Sequence, residues 1–102
     1  MKTEHTKGPW KSFFYGKDSY DRTISTIAAN DGNHRICEIS PFDLPENEVN
    51  ANARLIAAAP ELLEALYAAL PCVEESEEFD KPHGPKLSVK IRALLAQVEG
   101  NA

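Results

Sequence analysis

The sequence has few of the residues on which metal, redox and membrane sites depend. Its 102 residues include two cysteines and three histidines, and no run approaches the roughly 20 apolar residues of a bilayer span. His5, His34 and His83 are scattered, without cysteine or carboxylate at ligand spacing, so we predict no metal and no cofactor. A phosphate-cradling glycine loop, a nucleophile elbow and a two-histidine helix are also missing. We therefore expect no enzyme and assign no catalytic residue.

Basic residues are outnumbered. Eleven Lys and Arg stand against 16 Asp and Glu, which leaves a formal net charge of −5 and disfavours direct nucleic-acid binding. The start of the chain, residues 1–7, is polar and has no apolar segment behind it, so we expect a cytoplasmic protein without a membrane partner. In that reducing compartment, Cys37 and Cys72 should remain partly buried thiols.

Length and composition indicate one small soluble domain, because 42% of the residues are hydrophobic and 26% are charged. A small core is marginal, which favours a homodimer. We predict a flexible N-terminus over 1–8, a β-meander over 10–40, two helical segments over 43–73, an acidic loop over 74–85 and a C-terminal helix over 86–98.

The first half of the chain predicts a three-stranded antiparallel sheet. Aromatic and β-branched runs at 10–15, 23–28 and 34–39 are typical of strands, and Asn30 to Asn33 is a strong hairpin signal. The apolar residues do not alternate cleanly, since Ile36 and Ile39 would fall on opposite faces. Either a bulge or a sheet covered on both sides explains this pattern, and both alternatives stay open.

The second half is helical. Asp43 and Glu46 fit a capping box, and the first helix should run to about Ala58. Pro60 must kink or restart the helix, and a restart is favoured because proline suits a first helical turn. The expected fold is therefore α+β: a three-stranded antiparallel sheet packed against a helix broken at Pro60, plus a C-terminal helix.

The end of the second helix and the residues after it are acidic. Pro71 is expected to weaken the last turn, and residues 74–80 read as a solvated loop. A sharper alternative is that their carboxylates imitate a phosphate backbone in the basic groove of another protein.

Two blocks, at His5–Trp10 and at Asn52–Leu66, resemble a family of small accessory proteins of bacteriophages and prophages. The family pattern is a His-Thr-Pro-Gly-Pro-Trp start and an Asn-Ala-Arg-Leu-Ile-Ala-Ala-Ala-Pro-Glu-Leu-Leu run; this chain departs from it at Lys7, which stands where the pattern has proline. The likeness covers most of residues 5 to 70 and leaves the acidic stretch and the last helix outside. It implies a phage accessory product and not a structural component of the virion, and it supplies no catalytic residue.

Five residues are candidates for binding a partner or ligand: Trp10, Tyr15, Asn52, Arg54 and Phe79. Exposed aromatic rings anchor interfaces, and an arginine can clamp an anionic group, although core packing and an internal cap or salt bridge are the simpler alternatives. Leu55 and Ile56 are expected in the core.

The favoured function is binding, with inhibition or redirection, of a host factor such as a defence component. The alternative is a small-molecule binder that sequesters an anionic, nucleotide-type ligand at a dimer interface near Asn52 and Arg54. A plain phage accessory role without any anti-host action is a third possibility.

Overall fold

A computed structural model describes residues 4–17, 19–20, 23–39, 44–79 and 86–100, without the side chains of Phe14, Tyr15, Thr23 and Phe79. The strands are β1 (Trp10–Lys17), β2 (Thr23–Ala29) and β3 (His34–Ile39), and the helices are α1 (Glu46–Ala57), α2 (Ala59–Phe79) and α3 (Leu87–Glu99). An antiparallel sheet combined with helices confirms the α+β class. The chain divides into two compact units, which we call the sheet unit (Thr6–Glu61) and the hairpin unit (Met1–His5 with Leu62–Ala102).

In the sheet unit, the described strands lie in the order β1-β2-β3. A bulge opposite Ile27 and Ala28 explains the irregular apolar pattern of β3, since Ile27 pairs with Cys37 and the pairing then skips Ile36. Ile36, Cys37 and Ile39 all pack against the core as a result. The prediction of a bulge is therefore confirmed, and a second register shift lies on β1 between Phe14 and Gly16.

Residues 25 to 29 of the central strand β2 are all buried, although their neighbours across the strands on the outer face are exposed. The bulge therefore accounts for the irregular pattern, whereas the outer face of the sheet is open to solvent beside β2. On the face away from the core, the small residues Thr26 and Ala28 lie between long cross-strand neighbours: Phe13, Lys11, Glu38 and Arg35. The stems of such side chains can shield a small residue from water. The buried Thr26 hydroxyl has no hydrogen-bond partner among the described residues.

The hairpin turn between β2 and β3 follows the sequence signal. Asn30 and Asp31 both have a φ of 53°, Gly32 has a φ of 93°, and the Asn33 amide donates to the Asn30 carbonyl at 3.1 Å. Asn, Asp and Gly accept positive φ at low cost, so the turn closes without strain from a β-branched side chain.

Helix α1 packs on the sheet through one narrow stripe. Val49, Ala53 and Ala57 are buried at intervals of four residues, and Ala53 and Ala57 join Ile27 in the core. Alanine lets the helix backbone approach the strands closely. A hydrogen bond of 3.3 Å from the Ser25 hydroxyl to the Asn50 side-chain oxygen links the same two elements.

The start of α1 differs from the predicted capping box. The N-cap is Pro45, which is extended and makes no side-chain cap, and its carbonyl accepts from the Glu48 and Val49 amides at 3.0 and 3.1 Å. The helix thus begins at Glu46, and the capping-box prediction was wrong about Pro45, which precedes the first turn. Asp43 itself lies outside the described residues.

The predicted restart at Pro60 is confirmed. Helix α1 ends at Ala57, Ala58 forms the break, and α2 begins at Ala59 with Pro60 as its second residue. A proline in the first helical turn loses no hydrogen bond, because that amide would have had no partner in the helix. Within the described residues no single helix is both long and apolar enough to cross a membrane, although α1 and α2 as a bent pair meet that test of length and composition.

The hairpin unit corrects two expectations. Pro71 lies in the interior of α2 and not in a weakened last turn, and residues 74–79 of the predicted acidic loop are helical. Glutamate is a good helix former, and side-chain hydrogen bonds tie this stretch to α3. The remainder of the predicted loop, residues 80–85, lies outside the described part of the chain.

Three contacts set the antiparallel register of α2 and α3. Tyr67 donates to Glu99, Arg92 donates to Glu74, and Ser88 donates to Glu77. Successive residues of α2 thus contact residues progressively earlier on α3, as in an antiparallel pair. Ile91 and Leu95 are buried on the face of α3 that carries these contacts. Leu87, Val89, Leu94 and Val98 remain between 51% and 59% exposed.

Candidate functional site

The candidate site is the outer face of α1, which carries two of the residues selected from the sequence. Asn52 and Arg54 are both exposed, while Ala53 between them is 1% exposed and packs in the core. The helical period places them on the two flanks of the buried stripe, at about 100° either side of Ala53. The structure therefore makes both side chains available to a partner.

Leu55 lies beside these two residues and corrects an expectation. It is 64% exposed, although a core position was predicted, whereas Ile56 does pack against the core. The spacing already contained this signal, because position 55 is two residues from both Ala53 and Ala57 and so faces away from their stripe. Leu55 is a large apolar side chain exposed on this helix face.

Two polar residues and one small residue lie beside Leu55 on the helix. Glu48, Ala51 and Asn52 precede it by seven, four and three residues and share its face. We call the five residues Glu48, Ala51, Asn52, Arg54 and Leu55 the α1 face. An apolar centre with a polar surround is the general composition of a protein-binding patch.

Arg54 carries the positive charge of this face, and Glu48 carries a negative one. Its side chain makes no hydrogen bond or ion pair with other residues in the described ranges, so the internal salt bridge considered from the sequence is not formed there. Arg54 lies in the last turn of α1, where a cation interacts favourably with the helix dipole. That interaction leaves the guanidinium donors available to bind carboxylate or phosphate groups.

The structure does not bring Trp10 to this face. The indole packs against the core cluster of Ile27, Ala53 and Ala57, and its Nε1 donates to the Thr6 carbonyl at 3.0 Å. Trp10 is half-buried on the inner side of the sheet unit, so its main contacts are internal.

The remaining aromatic candidates lie elsewhere in the chain. Tyr15 is on β1 next to the bulge, and Phe79 is the last residue of α2; the side chains of both lie outside the description. Their binding roles remain predictions.

The acidic stretch is partly engaged within the hairpin unit. Glu74 accepts from Arg92, and Glu77 accepts from the hydroxyl of Ser88 at 2.5 Å and from its amide at 3.2 Å. These hydrogen bonds to Ser88 lower the pKa of the Glu77 carboxyl. Two of the carboxylates thought to imitate a phosphate backbone thus have a structural use, which weakens that alternative.

The two cysteines and the other possible metal ligands form no metal-binding cluster in the described part of the chain. Cys37 is half-buried and Cys72 is exposed, so only the first matches the predicted partial burial. Among the described residues, no three His, Cys, Asp or Glu side chains come together as a metal site.

Comparison with known proteins places the chain in a phage family. The family model described as Salmonella phage P22 protein Y8K6 matches residues 1–102. No curated protein and no solved structure matches the chain. Because the match extends over the whole sequence, the chain belongs to the Salmonella phage P22 protein Y8K6 family.

Proposed function

We propose that this phage protein is a non-catalytic accessory factor that binds a host protein through the α1 face and inhibits or redirects it. Membership of a phage family supports the accessory role. The observation that carries the binding role is the pair of neighbours Arg54 and Leu55, which are exposed on a helix whose other face is fully used in packing.

The physical basis is the combination of one apolar and one charged contact. Burial of the exposed part of Leu55 against a partner gains hydrophobic free energy, and Arg54 can form a bidentate pair with a carboxylate. A few such central residues usually supply most of the affinity of an interface. The partner we expect has an apolar pocket beside an acidic group.

The first experiment is affinity capture from host lysate with the full chain as bait, followed by titration of the purified partner. Leu55→Ser and Arg54→Ala should each raise the Kd by about ten-fold or more, since 1.4 kcal/mol corresponds to a factor of ten. Val89→Ser on α3 is the matched control, because Val89 is a similarly exposed aliphatic residue at 59%. Equal binding by all four proteins would exclude the α1 face.

The alternative is a small anionic ligand held near Asn52 and Arg54 at a dimer interface. The unpaired guanidinium of Arg54 within the described residues is the observation that favours it. A nucleotide panel should then raise the Tm of the wild type and leave Arg54→Ala unchanged. Recovery of phage proteins alone in the capture experiment would instead indicate a phage replication or regulatory role.

Self-association is a separate prediction that follows from the small size of the core. Sedimentation velocity over a range of protein concentrations measures it directly, and a monomer at every concentration would contradict it.

A further inference from the structure

A groove opens at one end of the sheet unit, beside the start of β1. Its volume is about 560 Å³, within the range of roughly 300 to 1,000 Å³ that small-molecule sites occupy. Its polar lining includes Thr6, Lys7, Lys11, Asn30, Asp31 and His34.

Strand pairing explains why these residues meet. Trp10 pairs with Ala29, and Ala29 pairs with His34, so the start of β1, the end of β2 and the start of β3 share one end of the sheet. The segment before β1 and the hairpin turn extend beyond that end and form the walls. Residues from three separate parts of the sequence therefore line one cavity.

The charge of the groove is opposite to that of the chain. Two lysines and a histidine face a single carboxylate there, although the whole sequence carries a net charge of −5. The Lys11 Nζ lies 3.9 Å from the Asp31 Oδ1, and these side chains are 60% and 90% exposed. Such an exposed ion pair is weak, so the Lys11 ammonium can donate to another partner. Lys7 forms no ion pair with other described residues.

The lining also includes an apolar part. Pro9 contributes exposed carbon surface beside the lysines, and Asn30 contributes a side-chain amide from the turn. Ammonium groups bind phosphate as point charges, and an apolar wall with a neighbouring amide suits the remainder of an organic anion. The volume exceeds what a phosphate ion alone would fill.

The geometry points to a binding site for a free nucleoside phosphate in the groove between Lys7, Lys11 and His34. The phosphate lies between the two lysines, and the nucleoside lies against Pro9. This site is distinct from the α1 face and does not depend on a protein partner.

The test is isothermal titration calorimetry of the full chain with ATP, AMP, inorganic phosphate and a short single-stranded oligonucleotide. We expect the nucleotides to bind more tightly than inorganic phosphate and more tightly, per site, than the oligonucleotide. Lys7→Gln with Lys11→Gln should weaken nucleotide binding by at least about ten-fold. The matched control is Lys90→Gln on α3, which removes an exposed positive charge far along the sequence and should leave the affinity unchanged.

Amide chemical shifts locate the ligand independently of any variant. ATP should shift the resonances of Lys11, Asp31 and His34 and leave those of Asn52 and Arg54 in place. The proposal is overturned if no nucleotide binds at millimolar concentration, or if the chemical-shift changes are confined to α1. It is also overturned if Lys90→Gln loses as much nucleotide affinity as the double variant, or if phosphate or the oligonucleotide binds more tightly than the nucleotides.

Discussion

Gly8 lies directly against Pro60: a Cβ added to Gly8 would be 3.0 Å from the Pro60 Cβ and 3.3 Å from its Cγ. This contact joins the two sequence blocks that carry the family resemblance, one before β1 and the other at the break between α1 and α2. The N-terminal segment, expected to be flexible over residues 1–8, is thus packed at Gly8. Pro60 is buried in this arrangement.

Gly8→Ala should destabilise the sheet unit because the added methyl group has too little room. Overpacking of this kind costs about 1–3 kcal/mol, measurable as a lower midpoint of urea unfolding. In a Pro60→Gly background the neighbouring ring is gone, so the same substitution should cost less. An identical cost in both backgrounds would show that the Gly8 contact with Pro60 does not limit the position.

Ile27→Ala and Leu55→Ala provide a contrast between two large aliphatic residues. Ile27 is 0% exposed, so its truncation should lower the free energy of unfolding by about 2–5 kcal/mol. Leu55 is 64% exposed, so its truncation should change that free energy by no more than about 0.5 kcal/mol. Chemical denaturation measures both free energies. A large loss of stability in Leu55→Ala would indicate that Leu55 packs in the core, as the sequence predicted.

Glu77 of α2 caps the start of α3 and makes the stability of the protein depend on pH in the acid range. Lys86, the N-cap of α3, makes no side-chain cap, and the Glu77 carboxylate binds the Ser88 amide and hydroxyl instead. The hydrogen bonds from Ser88 lower the pKa of Glu77 in the folded state below its ordinary value of 4.5. The stabilisation is therefore complete above pH 4.5 and is lost as the pH falls through the folded-state pKa.

Glu77→Gln should therefore be less stable than the wild type at neutral pH and should lose less stability on acidification. Urea unfolding at several pH values between about 7 and 3 gives both quantities. Glu75→Gln removes the same charge two residues earlier, from an exposed position on α2, and serves as the control. Parallel pH curves for the wild type and Glu77→Gln would contradict the capping role.

Tyr67 and Glu99 give the opposite dependence at alkaline pH. The hydrogen bond to Glu99, together with burial and the charge of that carboxylate, raises the pKa of the Tyr67 phenol above 10.0. The neutral phenol is the form that donates, so this stabilisation is present below pH 10.0 and is lost as the pH rises through the folded pKa.

Spectrophotometric titration of phenolate formation measures that shift. The chain has three tyrosines, and Tyr67→Phe should remove from the titration curve the phenol whose pKa the hydrogen bond to Glu99 raises. Glu99→Gln should move the same phenol back toward its ordinary value. An unchanged curve in Glu99→Gln would show that the bond between α2 and α3 does not form in solution.

Local patterns were sufficient for the class of fold and for most of its elements. Strand composition, the Asn-Asp-Gly-Asn turn and the proline at position 60 act through the backbone of their own neighbourhood, and the structure has each where the pattern indicated. The availability of Asn52 and Arg54 follows in the same way from the helical period.

Other features depended on partners distant in the sequence. Arg92 and Ser88 of α3 bind carboxylates of the acidic stretch, and Ile36 packs against the core where a bulge forms against β2. The groove of Lys7, Lys11 and His34 exists only because three strands end together. Backbone preference depends on neighbouring residues and can be predicted from the sequence alone. Burial, strand pairing and a shared cavity arise only when separate segments pack against each other.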